Sequence, residues 1–281
     1  MLYKILNKGA GLWGMVCFGL IGMIWAACQA PEKQAADPYK GFRMGVQSYS
    51  LRAFPVEQAI QDVNKLELKY IEIFPGHFPM EKTTEERAAL KALLQENGVQ
   101  LVAYGVVDFK GDENLARQYF AFAKDMGIEV LSVNPKAEEL DFLDALVKEF
   151  DLKLAIHNHG PGARYDKLQD VVTVLEGRDP RFGACIDAGH FMRSDEDPVN
   201  CVRTLGDRIH LVHLKDIKIY PDKKVFTIQG EGDLDHVAFF KALQEVNFIG
   251  PLSLEYEENK DNPMPDMQVC MQNVREAIAK L

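Results

Sequence analysis

From residue 43 onward, short runs rich in β-branched and aromatic residues alternate with amphipathic stretches, and this alternation restricts the fold more than any other feature of the chain. Strand-like runs occupy 44–50, 69–74, 100–106, 128–133, 152–157, 182–187, 208–214 and 250–256. Runs of helical period occupy 56–66, 83–97, 112–126, 137–149, 165–176, 196–205, 235–247 and 265–280. A strand regularly followed by a helix builds a parallel sheet, because the helix must carry the chain back before the next strand begins. Eight such units predict an α/β fold of the (β/α)8 TIM-barrel class, a single domain over 43–281. A doubly wound sheet would place a glycine-rich turn after its first strand. Here that position reads Ser50-Leu51-Arg52-Ala53-Phe54, and no Walker-type loop occurs elsewhere. The longest break, 215–234, carries Gly230-Glu231-Gly232-Asp233 near its end and is expected to be functional.

Barrels of this class build their sites at the C-terminal ends of the strands. Glu72 lies in the second strand-like run, His157-Asn158-His159-Gly160 ends the fifth, and Asp187-Ala188-Gly189-His190 ends the sixth. His213-Leu214-Lys215-Asp216 ends the seventh, and Glu255 and Glu257 belong to the eighth. Residues two apart on a strand share a face, so Ala155, Cys185, Leu211 and Ser253 are expected directly beneath His157, Asp187, His213 and Glu255. Two imidazoles and two carboxylates then converge from four consecutive strands. Burying such a set without a cation costs several kcal/mol. The mixed nitrogen and oxygen donors suit a divalent metal such as Mn²⁺, Zn²⁺, Co²⁺ or Fe²⁺, with positions left open for substrate oxygens. His77, His210 and His236 are read instead as hydrogen-bonded structural histidines, with His210 facing the helices, and Glu257 and Glu258 as solvated loop charges.

These motifs together resemble the xylose-isomerase-like TIM barrels, the sugar phosphate isomerase/epimerase family that includes inosose dehydratases, ketose 3-epimerases and an endonuclease IV branch. The resemblance covers about residues 43–280 and rests on the sixth- and seventh-strand motifs, Gly230 to Asp233, and Ser253-Leu254-Glu255. It implies metal ligation by Asp187, His213 and Glu255. It also places His157 where the family has a glutamate, a departure that undercuts a symmetric epimerisation between two carboxylates. His190 matches a residue that contacts substrate oxygens, Lys215 a polar neighbour of the pocket, and Glu72 a glutamate at its rim. The implied chemistry is proton abstraction next to a carbonyl, a divalent metal (Mg²⁺ being a further option) stabilising the enediolate. Glu255, His157 and His159 are the candidate bases.

The N-terminus points to export. Lys4 and Lys8 precede an uncharged run from Gly9 to Ala27, and small residues stand before Cys28. Residues 1–27 read as a signal peptide whose cleavage leaves a lipidated Cys28, and 28–42 as a tether, which places the protein in the periplasm or on a membrane through a lipid anchor. The remaining cysteines, Cys185, Cys201 and Cys270, have no disulfide or zinc spacing. Sugar phosphates are cytoplasmic, so the substrate is expected to be a non-phosphorylated sugar, keto-sugar or cyclitol, processed by isomerisation or epimerisation or by a hydro-lyase reaction through the same intermediate. A formal net charge of −10 argues against nucleic acid as a partner. A nuclease and a non-catalytic sugar-binding lipoprotein are the remaining alternatives, and a homo-oligomer is left open.

Overall fold

The computed structural model describes residues 37–281. The proposed signal, 1–27, and most of the tether lie outside the described residues. Among those described, no helix is long and apolar enough to cross a membrane.

The chain runs β1 (Arg43–Gln47), α1 (Val56–Lys65), β2 (Tyr70–Ile73), α2 (Thr84–Glu96), β3 (Gln100–Val107), α3 (Glu113–Met126), β4 (Val130–Val133) and α4 (Leu140–Phe150). It continues with β5 (Lys153–His157), α5 (Leu168–Leu175), β6 (Phe182–Asp187), α6 (Ala188–Arg193), α7 (Pro198–Leu205) and β7 (Ile209–Leu214). After β7 come β8 (Asp216–Ile219), β9 (Lys224–Thr227), α8 (His236–Glu245), β10 (Pro251–Leu254) and α9 (Met264–Ala279). Strands β1 to β7 and β10 close into a parallel barrel in the order β1-β10-β7-β6-β5-β4-β3-β2. The eight-unit expectation therefore holds.

Local chemistry sets the helix ends. Thr83 and Glu86 form a reciprocal capping box at the start of α2, Asp112 caps α3, and Asp197 with Pro198 opens α7. Inside the barrel, Ala103, Val130, Ala155, Cys185 and Leu211 form a small, fully buried apolar layer. A much larger core lies between the strands and the helices. The inner layer is the floor on which the polar residues stand, since Asp187 pairs in register with His213 and Cys185 with Leu211 one layer below.

Three features depart from the sequence-based expectation. Residues 37–42 do not behave as tether: Tyr39 and Phe42 join the core, the Asp37 carboxylate accepts the backbone N–H groups of Tyr39 and Gly41, and Arg275 donates to the Tyr39 hydroxyl. A short helix, α6, follows β6 at once because Asp187 caps it. The long break after β7 contains the antiparallel hairpin β8–β9. Its return is fixed by Asp216, whose carboxylate accepts the backbone N–H groups of Ile217, Gly230, Gly232 and Leu234. A side chain at position 232 would run into that carboxylate, which explains Gly232 in the Gly230-to-Asp233 motif.

Candidate metal centre and cavity

Four side chains meet at the C-terminal mouth of the barrel. His157 Nε2, His213 Nδ1 and one carboxylate oxygen each of Asp187 and Glu255 all lie within 4.8 Å of one another, and all four residues are buried. His213 Nδ1 is 2.9 Å from both His157 Nε2 and Glu255 Oε2, while Asp187 Oδ2 is 3.6 Å from His157 Nε2 and 4.0 Å from His213 Nδ1. Ligands about 2.0–2.1 Å from a shared cation stand about 3 Å apart when adjacent and about 4 Å apart when opposite, so this set has the dimensions of a coordination shell. Among the described residues, Asp187 Oδ2 and Glu255 Oε2 have no aligned hydrogen-bond donor, although Lys215 Nζ lies 3.0 Å from each. Buried carboxylate oxygens without a donor are rare, and a cation accounts for two of them here. The donor set therefore fits a divalent metal.

The surroundings fix each ligand. His213 Nε2 donates to Glu72 Oε2 at 2.8 Å, leaving Nδ1 with a lone pair toward the cluster, and Ser253 donates to the same Glu72 oxygen at 3.1 Å. The other Asp187 oxygen accepts the His190 backbone N–H at 2.7 Å. Asn158 clamps the Asp187 backbone, accepting its N–H and donating to its carbonyl.

Burial pushes His157 down to about 3 and His190 down to about 4, and it also lowers His159. Burial opposes charge on Lys215 too, yet Asp187, Glu255 and Glu257 hold its ammonium above the usual lysine range. For Asp187, burial is outweighed by Lys215 and the neighbouring histidines, which keep the carboxylate well below its ordinary value. Glu255 is lowered in the same way by Lys215 and His213.

Beside the cluster opens a cavity of about 420 Å³. His157, His159, His190, Lys215 and Glu255 line it, with Tyr49, Phe74 and Pro75 among its other walls. Glu72 does not reach the rim. It is wholly buried under His213, so it acts on the site only through that ring. Glu257 is not a solvated loop charge either: it lines the cavity and accepts from Lys215 Nζ at 2.5 Å. Gln47, Arg193 and Phe226 are further lining residues that the sequence did not single out. For Glu257 the signal was present, since it stands two residues past Glu255, just beyond the eighth strand-like run.

The histidines read as structural are so bonded in two cases. His210 Nε2 lies 2.9 Å from the Pro180 carbonyl, and His236 lies between the Leu234 carbonyl and Gln229. His77 packs on Phe74, its ring nitrogens unpartnered among the described residues. Cys185, Cys201 and Cys270 are buried free thiols.

Residues 60–275 match the family described as xylose isomerase-like TIM barrel. The chain belongs to that family. An inosose dehydratase of Clostridium tetani is 34% identical over 146 residues, which are 46% of this chain and 49% of that one, so the chain spans about half the length of this curated relative. A solved protein of Parabacteroides distasonis ATCC 8503 superposes with a TM-score of 0.66 at 26% identity, covering 84% of this chain and 99% of that one. The IolI protein, solved with a zinc atom, superposes with a TM-score of 0.67 at 17% identity over 85% and 99% of the two chains, a likeness of fold.

Proposed function

We propose that this member of the family is a metal-dependent carbohydrate lyase that removes water from a keto-sugar or keto-cyclitol. Glu255 takes the proton next to the carbonyl, and neutral His159 holds the departing hydroxyl through its Nε2–H. The C–H electrons form the new C=C bond as the C–O bond breaks, and that oxygen leaves as water with the proton that Glu255 took, which returns Glu255 to its carboxylate. A divalent cation held by His157, Asp187, His213 and Glu255 would polarise the carbonyl and stabilise the charge that follows proton loss.

The observation that carries this reading is the chain of imidazole contacts. His213 donates its Nε2–H to the Glu72 carboxylate. A ligating His157 presents its Nε2 lone pair to the cluster, so its proton sits on Nδ1, which faces His159 Nδ1 at 3.4 Å. Neutral His159 then keeps its proton on Nε2 and meets the cavity as a donor. Burial disfavours a second proton on its ring, which keeps it neutral. A carboxylate acceptor and an imidazole donor bordering one cavity are the asymmetric pair an elimination uses, and the inosose dehydratase relative supports the same class. His190 accepts from Arg193 at Nδ1, so its Nε2–H is free to hold a substrate oxygen.

Isomerisation or epimerisation is the second reading. It is favoured by Lys215, an ammonium 3.0 Å from Glu255 Oε2 that can return a proton to the carbon that lost one. The apolar run before Cys28 supports a location outside the cytoplasm and hence a non-phosphorylated substrate.

The test is to incubate metal-reconstituted protein with ketohexoses and keto-cyclitols in D₂O and follow the products by mass spectrometry. Loss of one water is expected. Deuterium gained at carbon with an unchanged formula selects the second reading, and no change in any of these compounds rejects both.

A further inference from the structure

Among the eleven arginines of the described residues, Arg193 has a setting of its own. Arg43, Arg87, Arg117, Arg178, Arg181 and Arg203 each pair with a carboxylate. Arg52, Arg164 and Arg208 donate to backbone carbonyls, and Arg275 to the Tyr39 hydroxyl. Among the described residues, Arg193 lines the cavity, has no carboxylate within 4.0 Å, and makes a single side-chain hydrogen bond, from Nη1 to His190 Nδ1 at 3.1 Å.

We infer that the substrate of this cavity carries a carboxylate and that Arg193 receives it, an inference that rests on the carbonyl-adjacent reaction proposed above.

The guanidinium is held in place before any ligand arrives. Its Cζ lies 5.2 Å from the centre of the Phe226 ring, and it packs against Gly160, where a Cβ would come within 3.0 Å of Cζ and Nη1. Glycine after His159 thus leaves the room this side chain occupies. A planar fork with most of its N–H groups unused matches the two oxygens of a carboxylate. The other cavity cation, Lys215, is already committed to Asp187, Glu255 and Glu257. A phosphate dianion would therefore meet one unpaired positive charge where its own charge calls for more, which favours the singly charged group.

Spacing agrees. The His190 ring stands between the two regions, its centre 6.0 Å from that of His157 and its Nδ1 in contact with Arg193. One hexose-sized molecule can therefore reach both the ligand cluster and Arg193 within the cavity.

The experiment is calorimetric binding of D-glucuronate, D-glucose and D-glucose 6-phosphate to the metal-loaded protein, to Arg193→Gln and to Arg193→Lys, with thermal denaturation confirming that each variant is folded. A charge-assisted pair predicts that glucuronate binds the parent protein about tenfold or more tightly than glucose. That ratio is expected to fall toward one in Arg193→Gln and to be partly kept in Arg193→Lys. Equal binding of glucuronate and glucose, a preference that survives Arg193→Gln, or a stronger preference for the phosphate overturns the inference while leaving the lyase reading intact. If no sugar binds at all, the carbohydrate reading itself fails and this inference with it.

Discussion

Replacing Glu72 by glutamine tests the metal centre without touching a ligand. Glu72 Oε2 accepts from His213 Nε2 at 2.8 Å and from Ser253, so the substitution keeps the side-chain shape and removes the charge that fixes the ring. Outer partners of ligating histidines are typically worth about 10- to 100-fold in metal affinity. A metal at about 1,000 times its dissociation constant stabilises a folded protein by about 4 kcal/mol, and the same concentration at a 10- to 100-fold weaker site gives about 2.7 to 1.4 kcal/mol. The metal-dependent part of stability should therefore drop by about 1.4–2.7 kcal/mol. The metal-free protein should hold its stability or gain some, because one Glu72 oxygen is buried without a donor among the described residues. Urea titration with and without Mn²⁺ or Zn²⁺, paired with chelator competition, reads both quantities. Unchanged metal affinity in Glu72→Gln would refute the role given to this residue. A parent protein that takes up no divalent ion would refute the centre itself, leaving Lys215 as the cation among these carboxylates.

Two further outcomes follow from the geometry. Burial pushes His210 down to about 4 from 6.5, so between those values the unfolded chain binds the proton that the folded protein refuses. Stability should fall by about 3 kcal/mol as pH drops from above 6.5 toward 4, and His210→Gln, which keeps a donor for Pro180, should flatten that slope. Parallel denaturation profiles for the two proteins would count against this assignment. Asp216→Ala removes the acceptor of four backbone N–H groups, and hydrogen exchange should rise across residues 228–235 with a stability loss of about 3 kcal/mol. Exchange confined to its parent level would show that other contacts hold this turn.

The barrel was legible because each strand is short, apolar and separated from the next by an amphipathic helix; for β6 the expected range and the observed one coincide at 182–187. The four converging donors were legible for a related reason, since strand alternation places Asp187 above Cys185 and His213 above Leu211 whatever the tertiary detail. What lay beyond local pattern was missed. Arg193 enters the cavity only because a six-residue helix turns there, and Phe226 only because a hairpin folds back over it. Tyr39 and Phe42 look like linker residues until the core that receives them is known. Glu72 is a strand residue near a site by pattern, but its place under His213 depends on the length of the His213 ring, which no spacing rule encodes.

The β8–β9 hairpin has a consequence for how this scaffold can diversify. Lys224 ties it to the end of α6 by donating to the Met192 and Arg193 carbonyls, and Phe226 stacks near His190, Arg193 and Lys215. The donors of the metal centre sit on or directly after barrel strands, whereas this wall belongs to an excursion that contributes nothing to barrel closure. Mutations in the excursion can therefore reshape what the mouth admits while the reactive machinery stays where it is, so preference among sugars and bond-breaking chemistry are free to evolve at different speeds.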